Sequence, residues 1–181
     1  MTNRAILLTG LALAVAACGS KSSVSEKNAS VEQVANSVRE ASGDQGLVSP
    51  GKWQSTVTIE EMSMPGLPLE AQEQMKTMVA RAHTSETCLT PEEVKQPKGG
   101  FFGGNDSCRY DHFTMGGGKI DAQMHCSQSG TTQVMEMSGT YSPDHYEMHM
   151  KSHTEGGPGQ AVSMQMKVDS KRIGACTGKE A

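Results

Sequence analysis

The sequence predicts a mainly β fold: an antiparallel meander of about seven strands, forming a curved sheet or small barrel, with one packed amphipathic helix and two disulfides. In the C-terminal half, segments of alternating apolar and polar residues are separated by short turn sequences. Neighbouring segments can be paired so that apolar residues meet on one face and opposite charges meet on the other. Beyond the N-terminal segment four cysteines remain, an even number that suits two disulfides.

The N-terminal segment has the composition of a bacterial signal peptide. Arg4 supplies a positive charge, and residues 5–17 are mostly apolar or small. This run is shorter than the roughly 20 apolar residues that a membrane-spanning helix needs. It ends in Val15-Ala16-Ala17-Cys18, which resembles the lipobox of bacterial lipoproteins: an aliphatic residue, two small residues and the cysteine that is acylated. We therefore predict that residues 1–17 are removed and that Cys18 carries the lipid.

The same resemblance predicts where the protein resides. It implies several acyl chains on Cys18, and two or more chains hold a protein stably at a membrane. Gly19 follows the cysteine, in place of the aspartate that signals inner-membrane retention in enteric bacteria. We expect a lipid-anchored protein of the cell envelope, at the outer membrane and facing the periplasm. Export also favours oxidised cysteines over free thiols or a zinc site.

Charge and composition limit the possible partners. Removal of residues 1–17 deletes Arg4 and no acid, so the formal net charge changes from −4 to −5. Nucleic-acid binding needs an excess of basic residues, so a nucleic-acid partner is not expected. Hydrophobic residues make up 35% of the chain and aromatic residues 4%. A core this modest is typical of domains that covalent cross-links stabilise.

Residues 18–49 are predicted to be a lipid-anchored flexible tether that contains one short helix. The polar composition of residues 19–30 indicates a spacer. Ser30 and Gln33 form a capping-box pattern, and apolar residues at helical spacing predict a helix over residues 31–41. Because its apolar stripe is narrow, we expect this helix to pack loosely or not at all.

Residues 50–176 are predicted to form the disulfide-linked β domain, and residues 177–181 a disordered tail. The first strand is expected at 53–62 and another at 84–89. Between them, the most regular helical pattern in the chain covers residues 69–83. Thr90 and Pro91 have the pattern of a helix start, and a Gly-rich loop follows at 98–105. The remaining strands are expected at 107–115, 119–127, 131–141, 146–153 and 161–169.

Two strand registers are predicted by pairing apolar residues on one face of the sheet and opposite charges on the other. If Tyr141 faces Tyr146, then Met137 faces Met150 and Glu136 faces Lys151. If Met150 in turn faces Met164, then further pairs follow: Met148 with Met166, Tyr146 with Val168, and Glu147 with Lys167. Both registers join apolar residues on one face and opposite charges on the other, and a slip of one residue would lose both patterns.

The hairpin centred on Gly117 predicts the disulfides. This centre places Cys108 opposite Cys126, Tyr110 opposite Met124, and Thr114 opposite Ile120. Four cysteines allow three pairings, and facing positions favour Cys108–Cys126, which leaves Cys88–Cys176. The second disulfide would connect an early strand to the end of the chain.

Several short motifs resemble a proteobacterial family catalogued as domain of unknown function 3617, over about residues 50–176. They are Pro50-Gly51-Lys52-Trp53, the Met-Pro-Gly-rich residues 62–68, Cys88-Leu89-Thr90-Pro91-Glu92, Cys108, Cys126, the Met-alternating hairpins and Arg172-Ile173-Gly174-Ala175-Cys176. The chain departs from the family pattern at Lys52, where an apolar residue is commoner, and in the long helix at 69–83. The resemblance implies an exported, single-domain, cysteine-containing β protein and implies no activity.

Methionine is the unusual feature of the composition, with 13 residues. Six of them are predicted to share one sheet face and are our candidates for a ligand-binding face: Met135, Met137, Met148, Met150, Met164 and Met166. The first interpretation is a core buried by the helix at 69–83 or by curvature of the sheet on itself, because methionine fills irregular gaps. The second is a surface for an apolar ligand or a protein partner.

The third interpretation is a copper site, since thioethers bind Cu(I) and His145, His149 and His153 lie nearby in the sequence. Alternation along the strand directs His149 and His153 to the face opposite the methionines, which weakens this interpretation. The sequence has no recognised catalytic motif. We therefore expect a non-catalytic envelope protein without cofactor or resident metal, which binds an apolar ligand or a protein partner. The alternatives are a periplasmic Met/His protein that binds copper or another metal and, ranked last, an enzyme with an unrecognised site.

Overall fold

In the computed structural model, the described residues are 23–43, 46–79, 82–95, 105–128, 130–155 and 161–178. Their strands are β1 (Val24–Ser30), β2 (Gly51–Ser63), β3 (His83–Leu89), β4 (Cys108–Gly116), β5 (Lys119–Gln128), β6 (Thr131–Ser142), β7 (His145–Glu155) and β8 (Val162–Gly174), and their helices are α1 (Val31–Ser42), α2 (Leu69–Val79) and α3 (Pro91–Lys95). The predicted signal peptide, Cys18 and most of the Gly-rich loop at 98–105 lie outside the described residues, as does the end of the predicted tail.

All the pairings join antiparallel strands into one sheet of the order β1-β4-β5-β6-β7-β8-β2-β3. The mainly β meander is therefore confirmed, with eight strands in the described residues where we predicted about seven. The sheet is not closed, because β1 and β3 form its two edges. The barrel alternative is wrong, and the open sheet leaves one face to be covered by other elements.

The additional strand is β1, which lies where the sequence predicted a flexible spacer. Val24 pairs with Met115 of β4, and Ser30 pairs with Arg109. Val24 and Ala29 are buried against the sheet. The spacer prediction is wrong for Val24–Ser30, because the backbone hydrogen bonds of an edge strand come from its distant partner and its own composition can remain polar.

Helix α1 begins as predicted but packs more tightly than predicted. The Ser30 Oγ accepts a hydrogen bond from the Gln33 backbone N–H at 3.1 Å, and the Gln33 Oε1 accepts one from the Ser30 N–H at 2.8 Å. Val34 and Val38 are fully buried against β1 and β4, and the Ser37 hydroxyl donates to Glu26 at 2.6 Å. The expectation of loose packing is wrong, because the short apolar stripe fits over the first strands of the sheet.

Helix α2 has the predicted amphipathic pattern but does not cover the methionines. It lies beside β2, and the side chains of Leu69 and Met78 are 79% and 75% exposed. The helix that packs on the sheet is α1. Our expectation that residues 69–83 form the cover of the core is therefore wrong: helical periodicity shows which face of a helix could pack, while the position of a cover depends on tertiary contacts.

The registers of the hairpins are partly as predicted. Between β6 and β7, Tyr141 faces Tyr146 and Met137 faces Met150, as expected. Between β7 and β8 the prediction is wrong by two residues, since Met150 faces Met166. A shift of two residues keeps every side chain on its predicted face, so matching the faces cannot detect it.

The β4–β5 hairpin contains an irregularity that the sequence did not show. Cys108 faces Cys126 and Tyr110 faces Met124, as predicted, but the register shifts between Tyr110 and His112. Beyond the shift Met115, and not Thr114, faces Ile120. This bulge directs Phe113 and Met115 to the buried face, where both are almost fully enclosed.

Both predicted disulfides are present. Cys108 and Cys126 face each other on adjacent strands, and their Cα atoms are 4.0 Å apart. Cys88 and Cys176 have Cα atoms 5.5 Å apart and are separated by 88 residues in the sequence. The second disulfide therefore joins the edge strand β3 to the segment that follows β8.

Candidate functional site

A cavity of about 250 Å³ lies on the face of the sheet that α1 covers, which we call the inner face. Four methionines line this apolar cavity, and three tyrosines, Tyr110, Tyr141 and Tyr146, do so as well. The other lining residues are Leu47, Val48, Phe113, Ile120, Ala122 and Val168. The cavity is bounded by the inner face on one side and by the Leu47–Val48 segment on the other.

The Leu47–Val48 side of the cavity depends on Trp53, which lies at the start of β2. Its side chain is 1% exposed and forms a small core cluster with Val48 and Val94. The indole Nε1 donates to the Ser49 carbonyl at 3.0 Å, and the indole lies 5.7 Å from the Tyr146 ring, between centroids. The Ser49 N–H in turn donates to the Pro143 carbonyl at 2.7 Å. Trp53 therefore fixes the Leu47–Val48 segment over the end of the sheet.

The structure places four of the six predicted methionines around the cavity: Met135, Met137, Met148 and Met150. Met166 shares their face because it pairs with Met150, and Met164 lies two residues further along β8; neither lines the cavity. All six are half-buried. The fully enclosed core lies instead under α1, on β4 and β5. Met135, Met137 and Met148 pack against that core from its margin and are only partly enclosed. Among the described helices α1 packs on this face, and not the predicted helix at 69–83.

The lining carries no charged side chain within the described parts of the chain. Burial raises the pKa of the Tyr110 hydroxyl to about 12 and also raises the pKa of Tyr141. Both hydroxyls are therefore neutral at physiological pH. An ion placed in this cavity would lose its hydration without gaining a partner of opposite charge, so the site suits an apolar group.

The opposite face of the sheet, the outer face, carries the predicted histidines in polar contacts. His145 contacts Asp169 at 3.0 Å, His149 contacts Glu147 at 3.1 Å, and His153 contacts the Ser163 hydroxyl at 2.7 Å. The structure does not bring His149 or His153 together with the methionines. Nor do the described residues contain a group of three His, Cys, Asp or Glu side chains that could hold a metal ion.

Glu147 and Lys167 form the outer-face ion pair with the clearest effect on titration. The Lys167 Nζ lies 2.7 Å from Glu147 Oε2, and this hydrogen bond lowers the pKa of Glu147. A carboxyl whose pKa is lowered on folding stabilises the folded state above its unfolded-state pKa, and the contribution is lost as the pH falls through the folded-state pKa.

We expect Glu147→Gln to lower the melting temperature at pH 7 and to make little difference well below pH 4.5, the ordinary pKa of this carboxyl. Each side chain is about one-third exposed, so solvent screens the pair, and the shift should be small and should decrease in high salt. Melting curves of the wild type, Glu147→Gln, Lys167→Met and the double variant, recorded from pH 7 to pH 3, test this. A difference between wild type and Glu147→Gln that is as large at pH 3 as at pH 7 would contradict it.

Several residues that line the cavity were not predicted from the sequence. Tyr141 and Tyr146 lie in the same alternating stripe as the methionines, so that pattern could have included them. Leu47 and Val48 gave no such signal, since they lie in a segment without periodicity that we treated as part of a tether. Their role depends on Trp53, whose contacts are visible only in the fold.

Comparisons with known proteins identify a family. A search among curated proteins gave no match, and neither did a search among solved structures. None of the described helices is long and apolar enough to cross a membrane. The family described as "Protein of unknown function (DUF3617)" matches residues 48–176. The Lys52 ammonium pairs with the Glu86 carboxylate at 2.6 Å. The chain therefore belongs to the DUF3617 family, whose function is unknown.

Proposed function

We propose that this protein is a lipid-anchored, non-catalytic protein of the cell envelope that binds an apolar ligand in the apolar cavity. The observation that carries the proposal is a cavity of about 250 Å³ that is lined by four half-buried methionines and by no charged side chain among the described residues. Protein interiors are normally close-packed, with few voids larger than a water molecule. The cavity is partly open to solvent and its lining is almost entirely apolar, so an apolar occupant can enter it and gains by leaving water.

The methionines suit such a role. Their side chains are unbranched and adapt to occupants of different shape, as at other surfaces that bind apolar partners. An occupant would also bury apolar surface that the open sheet leaves exposed, which contributes about 25 cal/mol per Å². We expect a dissociation constant in the micromolar range for a ligand that fills the cavity.

Binding can be tested with the uncharged dye N-phenyl-1-naphthylamine, whose fluorescence rises in apolar surroundings. We expect Met137→Gln to weaken dye binding by about tenfold or more. Glutamine has nearly the same shape as methionine, but its amide would be desolvated by the dye at a cost of about 1–3 kcal/mol. The soluble Cys18→Ser protein is the suitable background, because attached acyl chains would themselves take up the dye.

Met164→Gln is the matched control for this titration. It introduces the same amide on the same sheet face, outside the apolar cavity. We expect it to bind the dye as the parent does. Equal dye affinity in Met137→Gln and Met164→Gln would contradict binding in the cavity, provided that the melting curves show both variants folded.

The anchor is the second part of the proposal and rests on the Val15–Cys18 lipobox. Because β1 begins at Val24, six residues after Cys18, an extended chain could separate the sheet from the lipid by only about 20 Å. We therefore propose a short tether in place of the long one predicted for residues 18–49. Cys18→Ser should move the protein from washed membranes to the soluble fraction, and its retention on membranes after a high-salt wash would contradict the anchor.

A further inference from the structure

A second cavity, of about 380 Å³, adjoins the first, and Met135 lines both. We call it the polar cavity, and the Cys108–Cys126 disulfide and Met124 also line it. Its polar side chains are uncharged amides and hydroxyls, namely Asn105, Ser107, Gln128, Thr131, Gln133 and Thr154. The described residues around it, like those around the apolar cavity, include no acidic or basic side chain.

The strand registers place the two cavities along one line of the inner face. On β6, Gln133 lies between Cys126 of β5 and Thr154 of β7, and Met135 is the next residue on the same face. Continuing along β6, Met137 and Tyr141 belong to the apolar cavity. The lining therefore changes along a single strand, from neutral polar groups through methionine to apolar and aromatic groups.

From this gradient we propose that the ligand is a single-chain amphiphile with an uncharged, hydrogen-bonding head group. Its alkyl chain occupies the apolar cavity, and its head group lies against Thr131, Gln133 and Thr154. The proposal rests on the proposed function and specifies the class of ligand. The Gln133 amide can donate and accept hydrogen bonds, and so can the hydroxyls of Thr131 and Thr154. Hydroxyl and ester groups of a ligand can therefore form hydrogen bonds there.

The charge of the head group follows from the same lining. A carboxylate or an ammonium group in the polar cavity would lose water without meeting an opposite charge among the described lining residues, which is costly. The length of the chain follows from volume. A cavity of about 150 Å³ holds the six carbons of benzene, which is about 25 Å³ per carbon. At that volume per carbon, the apolar cavity of about 250 Å³ has room for about ten carbons.

Displacement of N-phenyl-1-naphthylamine from the full Cys18→Ser chain tests the head group. Three competitors share a ten-carbon chain and are used below their micelle concentrations: 1-decanoylglycerol, which is uncharged, decanoate and decyltrimethylammonium. We expect decanoylglycerol to displace the dye at a concentration at least tenfold lower than either ion. Displacement by all three at equal concentrations would overturn the proposal.

Gln133→Met tests the polar cavity directly, because it removes the amide and keeps the size of the side chain. We expect the affinity for decanoylglycerol to fall about tenfold while the affinity for the dye is unchanged. Thr132→Val, on the exposed outer face of the same strand, is the control and should change neither.

The two proposals fail in different ways. If the dye binds and responds to Met137→Gln, but Gln133→Met leaves decanoylglycerol affinity intact, the head-group inference is wrong and the proposed function stands. If the dye does not bind the parent protein at all, the proposed function fails, and the inference that rests on it fails as well.

Discussion

Replacing Trp53 with alanine is expected to lower the free energy of unfolding by about 3–5 kcal/mol. The indole is 1% exposed, so its removal leaves a cavity that the surrounding strands can fill only in part. The change also removes the hydrogen bond to the Ser49 carbonyl and the contact with the Tyr146 ring. Because Trp53 holds the Leu47–Val48 segment in place, dye affinity should fall along with stability.

Urea unfolding measures this effect, and Trp53→Phe separates its components. Phenylalanine keeps much of the apolar area but cannot donate to Ser49, so it should cost less than alanine. Thr58→Ala, in the same strand and only half-buried, is a control for changes in β2 itself. A loss below about 1 kcal/mol for Trp53→Ala would contradict our account of this second core cluster.

Removing the Cys88–Cys176 disulfide is expected to have an effect of similar size, about 4–5 kcal/mol. Its half-cystines are 88 residues apart, and the cross-link therefore restricts a long loop of the unfolded chain. The chain-entropy model gives about 3 kcal/mol for a loop of 15 residues and about 4.7 kcal/mol for one of 100. The disulfide also connects edge strand β3 to the end of the chain, so its loss should loosen that edge first.

The Cys108–Cys126 disulfide provides the matched comparison. Its residues are 18 apart, so replacing both by serine should cost about 3 kcal/mol, less than the double replacement at Cys88 and Cys176. Urea unfolding of the two double variants under non-reducing conditions gives the order directly. A larger loss for the short loop would show that local packing around Cys108, and not loop closure, determines the stabilisation.

Sequence patterns predicted those parts of the fold that short-range constraints determine. Only Pro143 and Asp144 separate β6 from β7, so the turn fixes the register, and the Tyr141–Tyr146 pairing was predicted correctly. A longer connection joins β7 to β8 and leaves the register to be set by packing. Met150 therefore faces Met166 where we predicted Met164. The bulge near Asp111 has no turn residue to mark it and was not predicted.

The cover of the sheet could not be read from the sequence. Helix α1 has few apolar residues, yet Val34 and Val38 are fully buried because β1 positions the helix over β4. Helix α2 has the more regular pattern, yet it leaves Met78 exposed. Intrinsic pattern is a weak guide here because each helix depends on the surface that distant strands offer to it.

The methionine stripe was predicted, but the space beside it was not. Alternation along β6 and β7 identified Met135, Met137, Met148 and Met150 as one face. Whether that face is filled depends on the elements lying over it, and Leu47 contributes from a segment without a recognisable pattern. The polar cavity is likewise invisible in sequence, because Gln133 and Thr154 come together only through the β6–β7 register.

The most direct test of ligand binding in the apolar cavity is native mass spectrometry of the protein released from membranes without detergent. We predict a chain beginning at an acylated Cys18 that carries one non-covalently bound amphiphile. Met137→Gln should lose most of that bound mass, and Met164→Gln should keep it. A wild-type protein without bound ligand, or equal occupancy in Met137→Gln and wild type, would contradict the proposal that this cavity binds an apolar ligand.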